Sequence, residues 1–459
     1  MKRRRYPVYK PSGIEWLGDV PEHWETTRVK WSVRGCINGT WGEEPTGDED
    51  IVCVRVADFD RDNFLVDPES STMRSVERSQ MRTRALRKGE LLLEKSGGGE
   101  RQLVGQVVYF GHEFPAVCSN FVARMPVREG MDARFWCFVH AALYRGKLNY
   151  VAIKQTTGIQ NLDSNCYLDT PAAFPPFTEQ RAIAAFLDRE TARIDRLVGK
   201  KRELIERLKE KRTALIARTV TRGLPPAAAR KAGLPENPTL KPSGVEWLGE
   251  MPEHWEAVPL GYLVQFRGGA TPDKSRAVFW EGTIPWVTPK DMKVPLILDS
   301  EDHVTQEVLD AGLLSLHPVD SVLVVVRGMI LAHSFPVART SIPVTINQDM
   351  KALTCGNRIT PLYLAWMLIG FKKTFVSFAD ESAHGTRKLE SGVLNRFPAL
   401  LPPLPEQAAI ADYLDAETSK LDALVTKVEG AIERLQEYRT ALITAAVTGK
   451  IDVREAAVA

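Results

Sequence analysis

Two carboxylates and a lysine in the second half of the chain have the spacing of a metal-dependent nuclease. Pro272-Asp273 followed by Asp291-Met292-Lys293 fits a loose PD…(D/E)xK pattern. In such a site the carboxylates hold Mg²⁺ and the lysine orients the attacking water. The pattern is short and degenerate, and the first half shows no counterpart to it. A turn at 271–273 and a loop at 289–291 explain the same residues. The glycine run Lys95-Ser96-Gly97-Gly98-Gly99-Glu100 lacks the Gly-Lys-Ser/Thr ending of a phosphate-binding loop. Pro175-Pro176-Phe177 resembles half of an amino-methyltransferase loop, but Phe174 and Leu401 occupy the polar position, and helix initiation explains both proline pairs. The six cysteines (Cys36, Cys53, Cys118, Cys137, Cys166 and Cys355) form no Cys-x-x-Cys pair. They read as scattered reduced thiols, and no metal site is expected.

Reading of nucleic acid needs other residue types: Arg or Lys for guanine edges, and Asn or Gln for adenine edges, on loops or helix ends that can enter a groove. The first half offers Lys154, Gln155, Thr157, Gln160 and Asn161 in one stretch, and Lys95, Ser96 and Arg101 on the glycine-rich loop. The second offers His384, Thr386, Arg387 and Lys388, with Arg327 after an apolar run, Lys290, Asn347 and Gln348. The densest basic cluster is Arg74, Arg78, Arg82, Arg84, Arg87 and Lys88, offset by Glu77 alone. It fits either phosphate contact, with Arg82 and Arg84 as candidates, or a solvated helix. Total charge gives little help, since 60 Lys and Arg against 58 Asp and Glu leave +2 over 459 residues. Residues 26–172 carry net 0 and residues 257–399 net +1, so attraction to phosphate must come from local clusters.

The elements that position these residues come in duplicate. KPSGIEWLGDVPEHWE at 10–25 returns as KPSGVEWLGEMPEHWE at 241–256, with 13 of 16 positions identical. Residues 174–223 return at 401–450, with 27 of 50 positions identical. Between box and second repeat lie regions of similar length and no continuous identity. The layout is a box at 1–25, a variable region at 26–172 and a helical segment at 173–224. A linker with the second box at 225–256, a variable region at 257–399 and a helical segment at 400–459 follow. Each helical repeat opens Pro-Pro-x-x-Glu-Gln, with an acid in the first turn. A 3.5-residue series runs from Ile183 through Leu187, Glu190, Ile194, Leu197, Lys201, Leu204 and Leu208, and from Ile410 through Leu414, Glu417, Leu421 and Leu424 to Tyr438 and Leu442. It predicts two long coiled-coil helices of about 60 Å at 1.5 Å per residue. Symmetry favours their packing antiparallel on each other over packing on a partner. The variable regions read as α+β, with strands near 51–56, 90–93, 106–110, 284–287, 321–326 and 343–353, and helices near 134–143 and 361–371. No apolar run reaches the roughly 18 residues that cross a bilayer. The start, Met1-Lys2-Arg3-Arg4-Arg5-Tyr6-Pro7, has no signal-peptide core, so a cytoplasmic location is expected.

This layout resembles the specificity subunit of type I restriction-modification systems. The resemblance rests on the twin KPSG-(I/V)-EWLG-x-x-PEHWE boxes, the twin PP-x-x-EQ helices with their R-T-A-L-I and V-T endings, and the stretch from Gly269-Ala270-Thr271-Pro272 to Ile284-Pro285-Trp286-Val287-Thr288-Pro289-Lys290-Asp291. The last of these looks like the opening of that family's target recognition domain and also accounts for the nuclease-like spacing. The first variable region departs from the family in lacking a clear Gly-Gly-Thr-Pro opening. The resemblance implies two pseudo-symmetric α+β target recognition domains separated by two long antiparallel coiled-coil helices. It implies a non-catalytic chain in which each domain reads half of a bipartite site in double-stranded DNA. The helices would set the gap and dock two methyltransferase subunits, and motor-nuclease subunits would join them. No cofactor is then expected in this chain; S-adenosylmethionine, ATP and Mg²⁺ would belong to the partners.

Overall fold

A computed structural model describes residues 4–47, 50–70, 72–99, 102–156, 158–381 and 385–454. The chain falls into two compact units, Met1–Lys201 with Glu429–Ala459, and Arg202–Val428. Two long helices, Phe177–Arg222 and Leu404–Val447, each begin in one unit and end in the other. No helix among the described residues is long and apolar enough to cross a membrane.

In the first unit the box and the Pro-Pro motif are built against each other. Glu25–Arg28, at the end of the box, pairs antiparallel with Pro171–Phe174, just before the prolines. The buried Glu179 carboxylate then accepts from Trp24 Nε1 at 2.8 Å and His23 Nε2 at 2.7 Å, with the Tyr6 hydroxyl at 3.3 Å. A buried carboxylate is tolerated because donors replace its water. Gln180 accepts from the Asp132 amide at 2.9 Å and donates to the Pro175 carbonyl at 2.9 Å, fixing helix Ala133–Arg145 beside the long helix. The second unit repeats the strand pairing, the His contact and the Gln bridge but not the Trp contact, since Trp255 Nε1 is buried without a hydrogen-bond partner among the described residues. Glu256–Pro259 pairs with Pro398–Leu401, His254 meets Glu406 at 2.7 Å, and Gln407 joins the Thr360 amide to the Pro402 carbonyl, each at 2.9 Å.

Within each unit the two helix segments run antiparallel. In the first, Asp195 pairs with Arg439 at 3.0 Å, while Gly449 abuts Trp24, which is bound to Glu179. Numbering thus rises along one segment as it falls along the other. In the second, Arg212 pairs with Asp422 at 3.1 Å and Gly223 lies beside Glu406. The two ion pairs are symmetry equivalents, and each arginine also covers an aromatic ring, Phe64 under Arg439 and Trp366 under Arg212.

The buried face of these helices differs from the 3.5-residue series. Leu197, Leu204, Leu424 and Tyr438 are exposed. The inward positions are Ile183, Ile194, Ile205 and Ile216 on one helix, and Ile410, Leu421, Ile432 and Ile443 on the other, with Ile432 half-buried. The spacing is 11 residues. Eleven residues in three turns is 3.67 per turn, close to the helix's own 3.6, so the apolar stripe stays on one face without left-handed supercoiling. The long helices follow the sequence, and Ile183, Leu187, Ile194, Ile410, Leu414, Leu421 and Leu442 of the 3.5-residue series are buried; the series leaves the buried face at Leu197, Leu204, Leu424 and Tyr438.

Each unit carries one main antiparallel-rich sheet. In the first, the order is Ile37–Asn38, Val122–Met125, Glu90–Glu94, Val107–Phe110, Leu65–Val66, Phe59–Asp60; in the second, Val264–Gly268, Met350–Cys355, Val322–Val325, Val337–Thr340, Leu296–Ile297. Glu90–Glu94 is buried throughout, its end carboxylates neutralised by Arg124 at 2.6 Å and Arg61 at 3.0 Å. The strand expected over 343–353 is two strands, Thr345–Ile346 and Met350–Cys355, broken by a turn.

The two cores differ at one informative place. The Leu86 amide donates to the Ala116 carbonyl in the first unit, and the His317 amide to the Val344 carbonyl in the second. Leu86 and His317 are thus equivalent core positions. His317 is 1% exposed, and neither ring nitrogen has a hydrogen-bond partner. Burial, helped by Arg267, lowers its pKa from 6.5 to about 4; burial alone takes His140 to about 3. Both rings are neutral when folded and take up a proton below about 6.5 when unfolded. Acid therefore favours the unfolded chain. Stability should fall from pH 6.5 to pH 4 by about 1.4 kcal/mol per unit for each ring. His317→Leu should raise stability by about 1–3 kcal/mol at neutral pH and flatten part of that slope, as read by thermal unfolding across pH.

Candidate nucleic-acid interface

The candidate residues of the first unit that were scattered in sequence meet on one small sheet. Ser96–Gly97 pairs with Ile159–Leu162, which pairs with Ile153–Thr156, aligning Ser96 with Asn161, Lys154 with Asn161 and Gln155 with Gln160. Ser96 Oγ donates to Asn161 Oδ1 at 2.6 Å, and Lys95 Nζ to Asn38 Oδ1 at 2.7 Å. Lys154 binds Asp163 at 2.8 Å, and this hydrogen bond holds the Asp163 carboxyl below the usual carboxylate range. Gln160 is turned inward at 5% exposure. Its side-chain oxygen accepts from the Val104 amide at 3.1 Å, so it secures the glycine-rich loop. Arg101 and Thr157 lie outside the described residues.

The second unit builds the same device. Arg327–Gly328 pairs with Arg387–Lys388, which pairs with Asp380–Glu381, aligning Arg327 with Lys388 and Gly328 with Arg387. Gly97 at φ 132° and Gly328 at φ 142° occupy equivalent positions, in a conformation that L side chains rarely adopt. Lys388 is exposed, while Thr386 and Arg387 are half-buried. His384 lies outside the described residues. Arg327 Nε donates to Asp349 at 2.6 Å. Asn347 is 6% exposed and makes a turn, accepting from the Asp349 amide at 3.1 Å. Gln348 is exposed at the tip of that turn and accepts from the Thr271 hydroxyl.

Two apparent asymmetries of the sequence disappear. A Cβ on Gly269 would stand 1.8 Å from the Ile346 carbonyl oxygen, and one on Gly39 would stand 2.0 Å from that of Cys118. The next amides, of Ala270 and Thr40, donate to those same carbonyls at 3.2 and 2.7 Å. Gly39-Thr40 is therefore the first unit's counterpart of Gly269-Ala270, hidden because close backbone approach requires one glycine and leaves its neighbours free. Likewise Asp291 has a first-half counterpart after all. It accepts from the Thr288 amide at 2.8 Å, as Asp58 accepts from the Arg55 amide at 2.7 Å. Asp291 also binds the Glu301 amide at 3.0 Å, and Asp273 the Ser275 amide at 2.9 Å. The nuclease-like carboxylates cap their own turns, and no group of three metal-ligating side chains occurs among the described residues. Lys290 is exposed on the turn that Asp291 caps.

The basic cluster at 74–88 is dispersed. Arg74 binds Glu44 and covers Trp41, Arg84 donates to the Gly39 carbonyl, and Lys88 pairs with Glu113 at 2.8 Å. Arg82 is exposed on helix Arg78–Arg84. Arg84 thus braces the Gly39 approach, a role its sequence neighbours did not signal. Sequence reading also missed the tip residues Asn120 and Phe121, which lie in an unremarkable stretch and stand out once the units are matched.

Residues 252–434 match the family model for the type I restriction modification DNA specificity domain. The chain is 34% identical over 181 residues to the EcoR124I/EcoR124II type I restriction enzyme specificity subunit of Escherichia coli, covering 39% of this chain and 44% of that one. It spans less than half the length of the first two curated relatives that it matches. Two solved chains share the fold. One, from work on complex assembly and conformational transition of the type I R-M system, has a TM-score of 0.65 at 17% identity, with 93% of this chain and 98% of that chain covered. The other, the HsdS subunit from Thermoanaerobacter tengcongensis, has a TM-score of 0.55 at 16% identity, with 94% and 98% covered. Residues 252–434 are thus similar to the type I restriction modification DNA specificity domain, and the same fold elements recur before them.

Proposed function

We propose that this chain is the DNA sequence-specificity subunit of a type I restriction-modification complex. Each unit reads one half of a bipartite site in double-stranded DNA through its three-stranded tip sheet and the neighbouring turn. The long helices set the gap between half-sites and dock two methyltransferase subunits, and motor-nuclease subunits complete the assembly. S-adenosylmethionine, ATP and Mg²⁺ act on those partners. The observation that carries this reading is the pairing of one backbone device with two different polar sets. Ser96, Asn161, Gln160, Lys154 and Gln155 stand in one unit where Arg327, Lys388, Arg387, Asp380 and Glu381 stand in the other. Two partners of one kind need two alike scaffolds, whereas an asymmetric site needs two unlike reading surfaces. Both tip sheets offer the donors and acceptors that distinguish base pairs in the major groove.

Selection from a randomised duplex pool, by the full chain assembled with a type I methyltransferase subunit, should return two defined half-sites around an unspecified gap. Equal recovery of all sequences overturns the proposal. Four residues inserted after Gly199 lengthen one helix by about 6 Å, against roughly 3.4 Å per base pair. The selected gap should grow by one or two base pairs with both half-sites kept. Lys388→Ala should relax the preference at one position of the second unit's half-site and leave the other half-site as it is. Gln160→Ala should instead lower the thermal midpoint, since its amide holds the glycine-rich loop.

A further inference from the structure

The turn that leads into main-sheet strand Val122–Met125 of the first unit and Met350–Cys355 of the second is the same in both units. The Ser119 amide donates to the Val54 carbonyl at 2.9 Å, as the Asn347 amide does to Val287 at 3.1 Å. The Val122 amide returns to Ser119 at 3.0 Å, as Met350 returns to Asn347 at 3.3 Å. The Phe121 carbonyl accepts from the amides of Lys95 and Ser96 at 2.8 and 3.2 Å, as the Asp349 carbonyl accepts from Val326 and Arg327 at the same two distances. Asn120 therefore stands where Gln348 stands, and Phe121 where Asp349 stands.

The side chains diverge on this shared backbone. Asp349 neutralises Arg327. Phe121 has no charge to manage, because Ser96 replaces Arg327, and its ring is 48% exposed. Asn120 is exposed, and its amide makes no hydrogen bond with a described residue. A half-exposed phenylalanine on a tight turn gains less for the fold than a buried one, since the gain scales with the apolar area buried. Here it sits beside Lys95, Ser96 and Asn161, whose polar atoms already line the tip.

We propose that the Asn120–Phe121 turn contacts one A·T base pair in the first unit's half-site, a reading that rests on the DNA-specificity function above. The Asn120 amide pairs with adenine N6 and N7, which asks for one donor and one acceptor in a plane. The Phe121 ring packs on the 5-methyl group of the paired thymine, an apolar feature that cytosine lacks in the same groove. The second unit, with Gln348 engaged by Thr271 and Asp349 by Arg327, has no apolar group at this place.

The test uses the full chain assembled with a type I methyltransferase subunit and the same randomised duplex pool. Asn120→Ala and Phe121→Ala should each relax preference by about tenfold at one A·T position of one half-site. The other half-site and the thermal midpoint should stay as they are, and Phe121→Leu should recover part of the preference. A wild-type chain that selects two half-sites while both alanine variants keep every preference overturns this inference and leaves the function standing. Equal loss at both half-sites, or a lowered midpoint, also overturns it. A wild type that selects nothing removes the function itself.

Discussion

A carboxylate taken out of water at the start of each long helix is the constraint on which both units depend. Glu179 and Glu406 are buried, and each is held from the box of its own half, by His23 and Trp24 in the first and by His254 in the second, with the His contact at 2.7 Å in both. An unpaired buried carboxylate is strongly unfavourable, so helix start and box must come together or neither is stable. The adjacent glutamines extend the requirement to the short helices of the variable regions. Each variable region is thus anchored by a Glu-Gln pair and a His contact that recur in both copies, while the Trp donor to the carboxylate is found in the first copy. This explains why the boxes tolerate three conservative changes in 16 while the regions between them share no continuous identity.

Charge is handled locally throughout. Lys154, Arg327, Lys88 and Arg74 each have an acidic partner at hand, which is how regions of net 0 and +1 accommodate dense basic sequence. Exposed pairs of this kind contribute little to stability and are easily exchanged for other partners. A phosphate or a base edge can replace the intramolecular carboxylate at small cost. Near-neutrality is therefore compatible with the reading of base edges proposed above.

The duplication, the two long helices, most strands and the short helices at Ala133–Arg145 and Pro361–Gly370 were legible in the residues. Strong period, proline starts and turn residues are local signals. The seam was legible in part, because two heptads of a 3.6-residue helix drift by only a fraction of a turn. The 11-residue spacing of Ile183, Ile194, Ile205 and Ile216 separates from the 3.5-residue series only over a long run. The correspondence of Gly39 with Gly269 and of Asp58 with Asp291 was missed for another reason. Each is defined by one backbone hydrogen bond or one close approach, which constrains a single residue and leaves no motif around it.

The sequence by itself determined that the chain is two copies of one plan, with a long helix in each and a charge too small to bind nucleic acid by bulk attraction. Identity between distant segments and apolar period are properties of the string, and they survive without coordinates. Only the tertiary structure decided which polar residues face outward together. It gathered Lys95, Ser96, Lys154 and Asn161 onto one tip, turned Gln160 and Asn347 inward, and gave Asn120 and Phe121 the positions that Gln348 and Asp349 hold in the second unit. Strand register is the physical reason. A shift of one residue reverses the face of every side chain, and register is set by pairing across residues far apart in the chain.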